Sequence, residues 1–319
     1  MLLRPGPDTD KVDPMPKPRV LVIGEALIDV LREAAGSHVE HVGGSPANVA
    51  VGLARLDHKV HLATAIGTDE RGQRIAAHLA RHRVKLTKSS VTPEPTSTAE
   101  VTFDTDRRAT YDFDVAWNLA PVKGVKRATH VHAGSLATVL EPGAAQARAV
   151  MADKHPTATL SYDPNIRPGV MGDLDDVRSG VEELLPIVDV VKASTDDVAL
   201  LYPGREIEDV MNAWLTLGPA LVVVTRGPAG VTFRTRTGSV VSLPTHAQHV
   251  VDTVGAGDSF MAGLLSGLFS LGMLGGPDER EALARASSED IAPAVTRGLA
   301  TSAVTVGYAG AYAPSLDEL

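Results

Sequence analysis

The 319-residue chain contains no cysteine, which removes disulfides, thiolate nucleophiles and cysteine metal sites and fits a reducing cytoplasm. It also lacks any apolar run near the ~18 residues of a membrane-spanning helix. The amino terminus is Pro- and Asp-rich, with no signal-like apolar stretch, so a soluble cytoplasmic protein is expected. Basic runs are missing too: 30 Lys and Arg are scattered among 39 Asp and Glu, for a formal charge of -9. That balance argues against nucleic acid or an anionic membrane as partner, so any nucleotide must be held locally. Gly-Lys-Ser/Thr occurs nowhere, which excludes a P-loop, and the His-Arg-Asp and Asp-Phe-Gly signatures of protein kinases are equally absent.

What is present is the composition of a globular protein with a substantial core, 44% hydrophobic and 22% charged. The length suits one α/β core with an appendage. Residues 252–260 read Asp-Thr-Val-Gly-Ala-Gly-Asp-Ser-Phe. Gly255 and Gly257 flank Ala256 in a turn whose backbone can approach a ligand closely. Asp258 and Ser259 are good N-cap residues, and Phe260, Leu264 and Leu268 follow at helical spacing, so a helix is predicted to begin at the glycines. A glycine nest before a helix N-terminus favours phosphate. A carboxylate would be repelled there, so Asp258 reads as a proton acceptor for a hydroxyl attacking that phosphate. The plainer alternative is a glycine turn with an Asp cap, and the missing third glycine makes a dinucleotide site a poor fit.

In chain order, the five prolines of residues 1–18 mark an N-terminal extension. The apolar run 20–24 predicts a central parallel strand, with Asp29 beyond its carboxyl end, where open α/β sheets bind ligands. Gly43 and Gly44 precede a helical pattern over 49–56, with Pro46 suited to its first turn. A strand at 59–66 and a helix at 69–82 complete a second βα unit. Residues 98–115 then alternate with period two around a turn at 104–108, a hairpin that interrupts the βα order. His130 and His132 share one face of a strand, but no third ligand lies near in sequence, so structural histidines are expected. Later strand ends carry Asn165 and Arg167, then Ser194 and Asp197, then Thr225, Gly227 and Gly230, followed by a hairpin at 231–243 and a small-residue helix at 291–306.

The nonamer, together with these motifs in this order, resembles the ribokinase-like, or PfkB, family of carbohydrate and nucleoside kinases. Gly-Glu-Ala-Leu-Ile-Asp, Gly-Gly-Ser-Pro-Ala-Asn and Ser-Tyr-Asp-Pro-Asn-x-Arg are most similar to fructokinase-like members. The resemblance implies a mostly parallel sheet flanked by helices over 19–319, with a small β-sheet lid built from about 30–42 and 98–115 that closes over the sugar. It implies Asp258 as catalytic base, with Gly255, Ala256 and Gly257 as anion hole, and Asp29, Gly43, Gly44, Asn48, Asn165 and Arg167 on the sugar. Lys192, Ser194, Thr225, Gly227, Gly230 and Gly310 would lie near ATP. Asp197 would hold Mg²⁺ through water, although the family usually has Glu at that position. Asp252, Gly310 and Ser315 are candidates for a loop binding a monovalent cation, K⁺. The expected activity is transfer of the ATP γ-phosphoryl to a sugar hydroxyl, with fructose ahead of ribose and 2-keto-3-deoxygluconate, and a homodimer formed through the lid. A catalytically silent sugar- or nucleotide-binding regulator on the same fold is the alternative of another class, against which the intact Asp258 argues.

Overall fold

The computed structural model describes residues 19–32, 38–103 and 109–319; the extension at 1–18 and the turn at 104–108 lie outside the described residues. The strands are β1 (Arg19–Ile23), β2 (Leu27–Arg32), β3 (His38–Gly43), β4 (Lys59–Ala63), β5 (Lys85–Leu86), β6 (Thr98–Phe103) and β7 (Ala109–Asp114). They continue as β8 (His130–Gly134), β9 (Thr159–Asp163), β10 (Val190–Ser194), β11 (Leu221–Thr225), β12 (Val231–Thr235) and β13 (Val241–Leu243). Nine of them form one sheet in the order β13-β12-β11-β10-β9-β8-β1-β4-β5. Every pair from β11 to β5 is parallel, and β12 and β13 close one edge antiparallel.

Both faces of this sheet are covered, which is why its strands read as unbroken apolar runs. In β1 the alternation is direct: Val20 and Val22 enter the core under helices Ser45–Arg55 and Ala256–Ser270, while Leu21 and Ile23 enter the core under Gly143–Lys154 on the other face. Helices Ala256–Ser270 and Ser288–Thr305 touch almost backbone to backbone, since a Cβ on Gly267 would lie 2.5 Å from Ala294 Cα. A further helix, Pro277–Arg285, is not marked by the sequence pattern. It is held from outside its own face, by Arg280 Nε donating to Asp189 at 2.7 Å. No helix among the described residues is long and apolar enough to cross a membrane.

The remaining strands make a separate four-stranded sheet, β3-β2-β6-β7, antiparallel except where β2 meets β6. Ile28 and Val30 of β2 join the main core, and Glu40 of β3 is clamped by Arg71 and Arg74 of helix Glu70–Arg81. The period-two segment at 98–115 is therefore half of a sheet whose other half precedes the first helix. His130 and His132 are buried in β8 and share Ser161: His130 Nε2 and His132 Nδ1 each lie 2.9 Å from its Oγ. Burial lowers both imidazole pKa values, so these histidines are neutral members of the core.

Candidate active site

Because β1, β4, β8, β9, β10 and β11 run parallel, their carboxyl ends open along one edge, and the polar residues that end them stand side by side. From β11 across to β1 the row reads Thr225, Ser194, Asp163, Gly134 and Glu25. Register alone pairs Ser194 with Thr225 and Gly134 with Asp163. Above this row sits the start of helix Ala256–Ser270, whose N-cap is Gly255 in the left-handed region at φ 74.

Four expectations for this turn are corrected. Asp258 is not a cap, because the helix begins before it. Its Oδ1 accepts from Ser45 Oγ at 2.6 Å and its Oδ2 from Asn48 Nδ2 at 2.8 Å, across 210 residues in the second case. Ser259 is not a cap either, its hydroxyl accepting from Thr305 at 2.7 Å. Gly257 has ordinary helical backbone; an added Cβ there would crowd Lys192, whose Nζ would lie 3.1 Å from it. Ala256 spends its N–H on the Thr253 carbonyl at 3.2 Å. Among the described residues, the N–H groups of Gly255, Gly257 and Asp258 have no acceptor and remain the open donors of the helix end.

Lys192 is buried and paired with Asp163 at 2.8 Å. Burial by itself would lower its pKa, but Asp163, Asp197 and Asp258 outweigh that and hold the ammonium above the ordinary lysine value. A fixed positive charge thus lies directly beneath the open amides. Among the described residues, Asp163 Oδ1 is buried without a partner.

On the Asp29 side of the cleft, helix Ser45–Arg55 follows two glycines that only a missing Cβ allows. An added Cβ on Gly43 would lie 2.0 Å from Asp29 Oδ2, and one on Gly44, at φ 101, would lie 2.6 Å from the Glu25 carbonyl. Asp29, in β2, is pushed up to about 6 by burial, then by the charge of Asp258, against the pull of Arg167. Arg167 is exposed, with one guanidinium nitrogen on the Ile166 carbonyl at 3.0 Å, and Asn165 holds a strained φ of 40 just before it. Strain of this kind at a strand's carboxyl end is a feature of functional sites.

Two residues of this cleft, Ser45 and Glu25, lie inside the quoted motifs but are assigned no role by them. Ser45 stands at i and Asn48 at i+3, one helix face, and that spacing was the available signal. Glu25 is 5% exposed with Oε2 lacking a partner, and burial raises its carboxyl to about 7. Nothing in its sequence setting distinguishes it from a solvated loop acid.

Among the loop glycines, Gly227 (φ 52) and Gly310 (φ 73) face open space where a Cβ would stand, whereas Gly230 packs against the Leu243 carbonyl and serves the turn into β12. Asp252 Oδ2 accepts from Gly310 N–H at 2.8 Å, which clasps that loop to the central turn. Ser315 is not brought there by any hydrogen bond; its N–H and hydroxyl both donate to Glu318. Asp197 accepts from Ile166 N–H, Ser194 N–H and Ser194 Oγ, each at 2.7 Å. Of the roughly four acceptor positions of a carboxylate, one is left, enough for a metal-bound water and too few for a direct cage. No group of three or more acids or histidines suited to a metal exists among the described residues. The residues therefore fit Mg²⁺ only as an ion carried by phosphates and water.

Comparisons with known proteins agree with this geometry. A family model described as "pfkB family carbohydrate kinase" matches residues 17–318. The fructokinase of Klebsiella pneumoniae is 32% identical over 295 residues, spanning 89% of this chain and 94% of that protein. The fructokinase of Escherichia coli is 31% identical over 272 residues, spanning 82% and 88%. Among solved structures, the fructokinase of Xylella fastidiosa with bound ATP superposes with a TM-score of 0.80 at 26% identity, over 94% and 96% of the two chains. A double mutant of the fructokinase from Vibrio cholerae O395, in fructose, ADP and potassium ion bound form, gives 0.78 at 25% identity, over 94% and 96%. With a phosphate-favouring helix end, a carboxylate held beside it and this match along nearly its whole length, the chain belongs to the pfkB family of carbohydrate kinases.

Proposed function

We propose that this protein is an ATP-dependent fructokinase, acting as one kinase domain over 19–319 in the cytoplasm. The observation that carries the chemistry is the Asp258 carboxylate, fixed by Ser45 and Asn48 next to three open amides and above the Lys192 ammonium. Asp258 accepts the proton of the attacking sugar hydroxyl, and its two donors aim it so that little reorganisation is needed at the moment of transfer. The Gly255, Gly257 and Asp258 amides, with Lys192 beneath, stabilise the charge that develops on the transferred group. Asp29, Gly43, Gly44, Asn48, Asn165 and Arg167 hold the sugar. Ser194, Thr225, Gly227 and Gly310 border the nucleotide. Mg²⁺ would neutralise phosphate charge, reached by Asp197 through water. A monovalent cation, K⁺, would be held near Asp252 and Gly310, where the clasp onto the turn lets it act on catalysis from outside the sugar site.

The four-stranded sheet, from about 30–42 and 98–115, serves as the lid that excludes water, since ATP would otherwise be hydrolysed without acceptor. The same sheet joins two chains in a homodimer. Fructose is favoured over other acceptors because curated relatives matched along most of the chain are fructokinases. A coupled ADP-release assay over fructose, ribose, 2-keto-3-deoxygluconate and adenosine tests the assignment. D-Fructose should show the highest kcat/KM. A tenfold advantage of another acceptor, about 1.4 kcal/mol of transition-state binding, would overturn the substrate. Absence of turnover with all four would remove the kinase itself.

A further inference from the structure

The parallel sheet has a second polar edge, at the amino ends of its strands, which the kinase chemistry does not use. Arg19, Lys59 and Lys85 lie at the starts of β1, β4 and β5. Register pairs Arg19 with Lys59 and His61 with Lys85, and Lys59 and His61 are two residues apart in one strand, so all four side chains stand on the same face. They line a cavity of about 380 Å³, to which Arg83 is a further contributor. That volume is within the usual range of small-molecule pockets. A smaller adjoining hollow shares Arg19 and His61 and adds Arg127.

Among the described residues, four cations and His61 line this cavity against one acid, Asp57. Among the described residues Arg19, Lys59 and Lys85 form no ion pair, and the one acid lining the cavity, Asp57, stands 3.8 Å from Arg83 in an exposed pair. Burial lowers the His61 imidazole below its ordinary pKa, and the neighbouring charges of Lys85 and Arg19 add to that in the same direction. Such a cluster stands out on a chain of net charge -9. Solvated cations with no role would spread apart; here the strand register holds them together. The enclosure is small and local, and the chain has no basic run, which suits a compact anion rather than a polymer.

We propose that Arg19, Lys59, His61 and Lys85 form a second anion site, for a small phosphate-bearing molecule of diphosphate size, at the end of the sheet opposite the kinase cleft. Arg19 offers a planar fork to two phosphate oxygens, and the lysines supply point charges beside it. A dianion bound there would convert His61 from a repelled base into a proton-holding partner.

The test reads the site itself and does not depend on turnover, so it stands apart from the fructokinase assignment. The His61 ring resonance, identified by its loss in His61→Gln, is titrated by proton NMR with and without millimolar pyrophosphate, at ionic strength matched with sodium chloride. Pyrophosphate should raise the His61 pKa by about one unit, as an opposite charge within ~4–6 Å does. Lys59→Gln combined with Lys85→Gln should abolish most of that rise. No rise, an equal rise in sodium chloride, or a rise undiminished in the double variant would each overturn the site.

Discussion

Asp258→Asn keeps the size of the side chain and an oxygen for Ser45 or Asn48, while removing the proton acceptor. Turnover should fall by about 10² to 10⁴-fold, the span of general-base catalysis. ATP affinity measured by calorimetry should hold or improve, because the amides that meet phosphate stay in place and a like charge is gone. Retention of more than about a tenth of wild-type kcat, a loss below that span, would sink the base assignment. Glu25 gives a prediction of the opposite kind, in stability. Its carboxyl is pushed up from its ordinary 4.5 to about 7 because burial disfavours the charge. A raised acid binds its proton more tightly when folded, so its ionisation costs stability that appears as pH rises through the interval between those values. Glu25→Gln cannot ionise. Its denaturation free energy relative to wild type should therefore gain with pH, by up to roughly 3 kcal/mol between about pH 5 and pH 8; a difference that is flat with pH would contradict the buried setting. Both carboxyls show where sequence reading ended. Asp258 was legible as a base from its neighbours in sequence, but the donors that hold it come from the other end of the chain. Glu25 was illegible because burial is a property of the fold and leaves no local pattern.

Glycines in the central turn look alike in sequence and do different work in the element they begin. Gly255 needs its left-handed φ of 74, and a Cβ there would lie 2.6 Å from the Cβ of Ala311, in the loop that also carries Gly310. Gly257 needs no special backbone and is limited only by the Lys192 ammonium. Gly255→Ala should therefore cost stability, at least about 1 kcal/mol from backbone conformation alone, besides displacing the loop that Asp252 clasps. Gly257→Ala should fold with near wild-type stability, since a helical position prefers Ala, yet lose kcat as the methyl crowds Lys192 beneath the open amides. Urea denaturation and steady-state kinetics on the two variants separate the cases; equal stability losses would mean that the turn, and not Lys192, selects Gly257. The helical spacing from Phe260 onward was readable because ten residues of that helix are buried on nearly every side. Pro277–Arg285 was not readable, since Leu283 is its one buried residue and an amphipathic stripe never forms.

At the scale of the molecule, the βα alternation was enough to read a parallel sheet, while strand order was not, because short connections allow several orders that only packing decides. The four-stranded sheet poses the remaining problem. Its register places Leu31, Val39, Ala99 and Phe113 on one face together with Asp29. Ile28 and Val30, on the other face, enter the core. Val39 is 43% exposed, so part of an apolar face meets water at the same sheet that carries Asp29. A second copy of the chain, laying its own sheet across this face, would cover it by two-fold symmetry and brace both clefts at once. Sedimentation velocity at micromolar concentration should show a dimer, and Val39→Asp should shift it toward monomer by placing a charge in the covered face. The same substitution should raise KM for the sugar more than it lowers kcat, since it leaves Asp258 and the open amides untouched and loosens only the wall beside Asp29. A wild-type monomer at that concentration would remove the dimer, and the sheet would then have to close over the sugar as a single-chain lid.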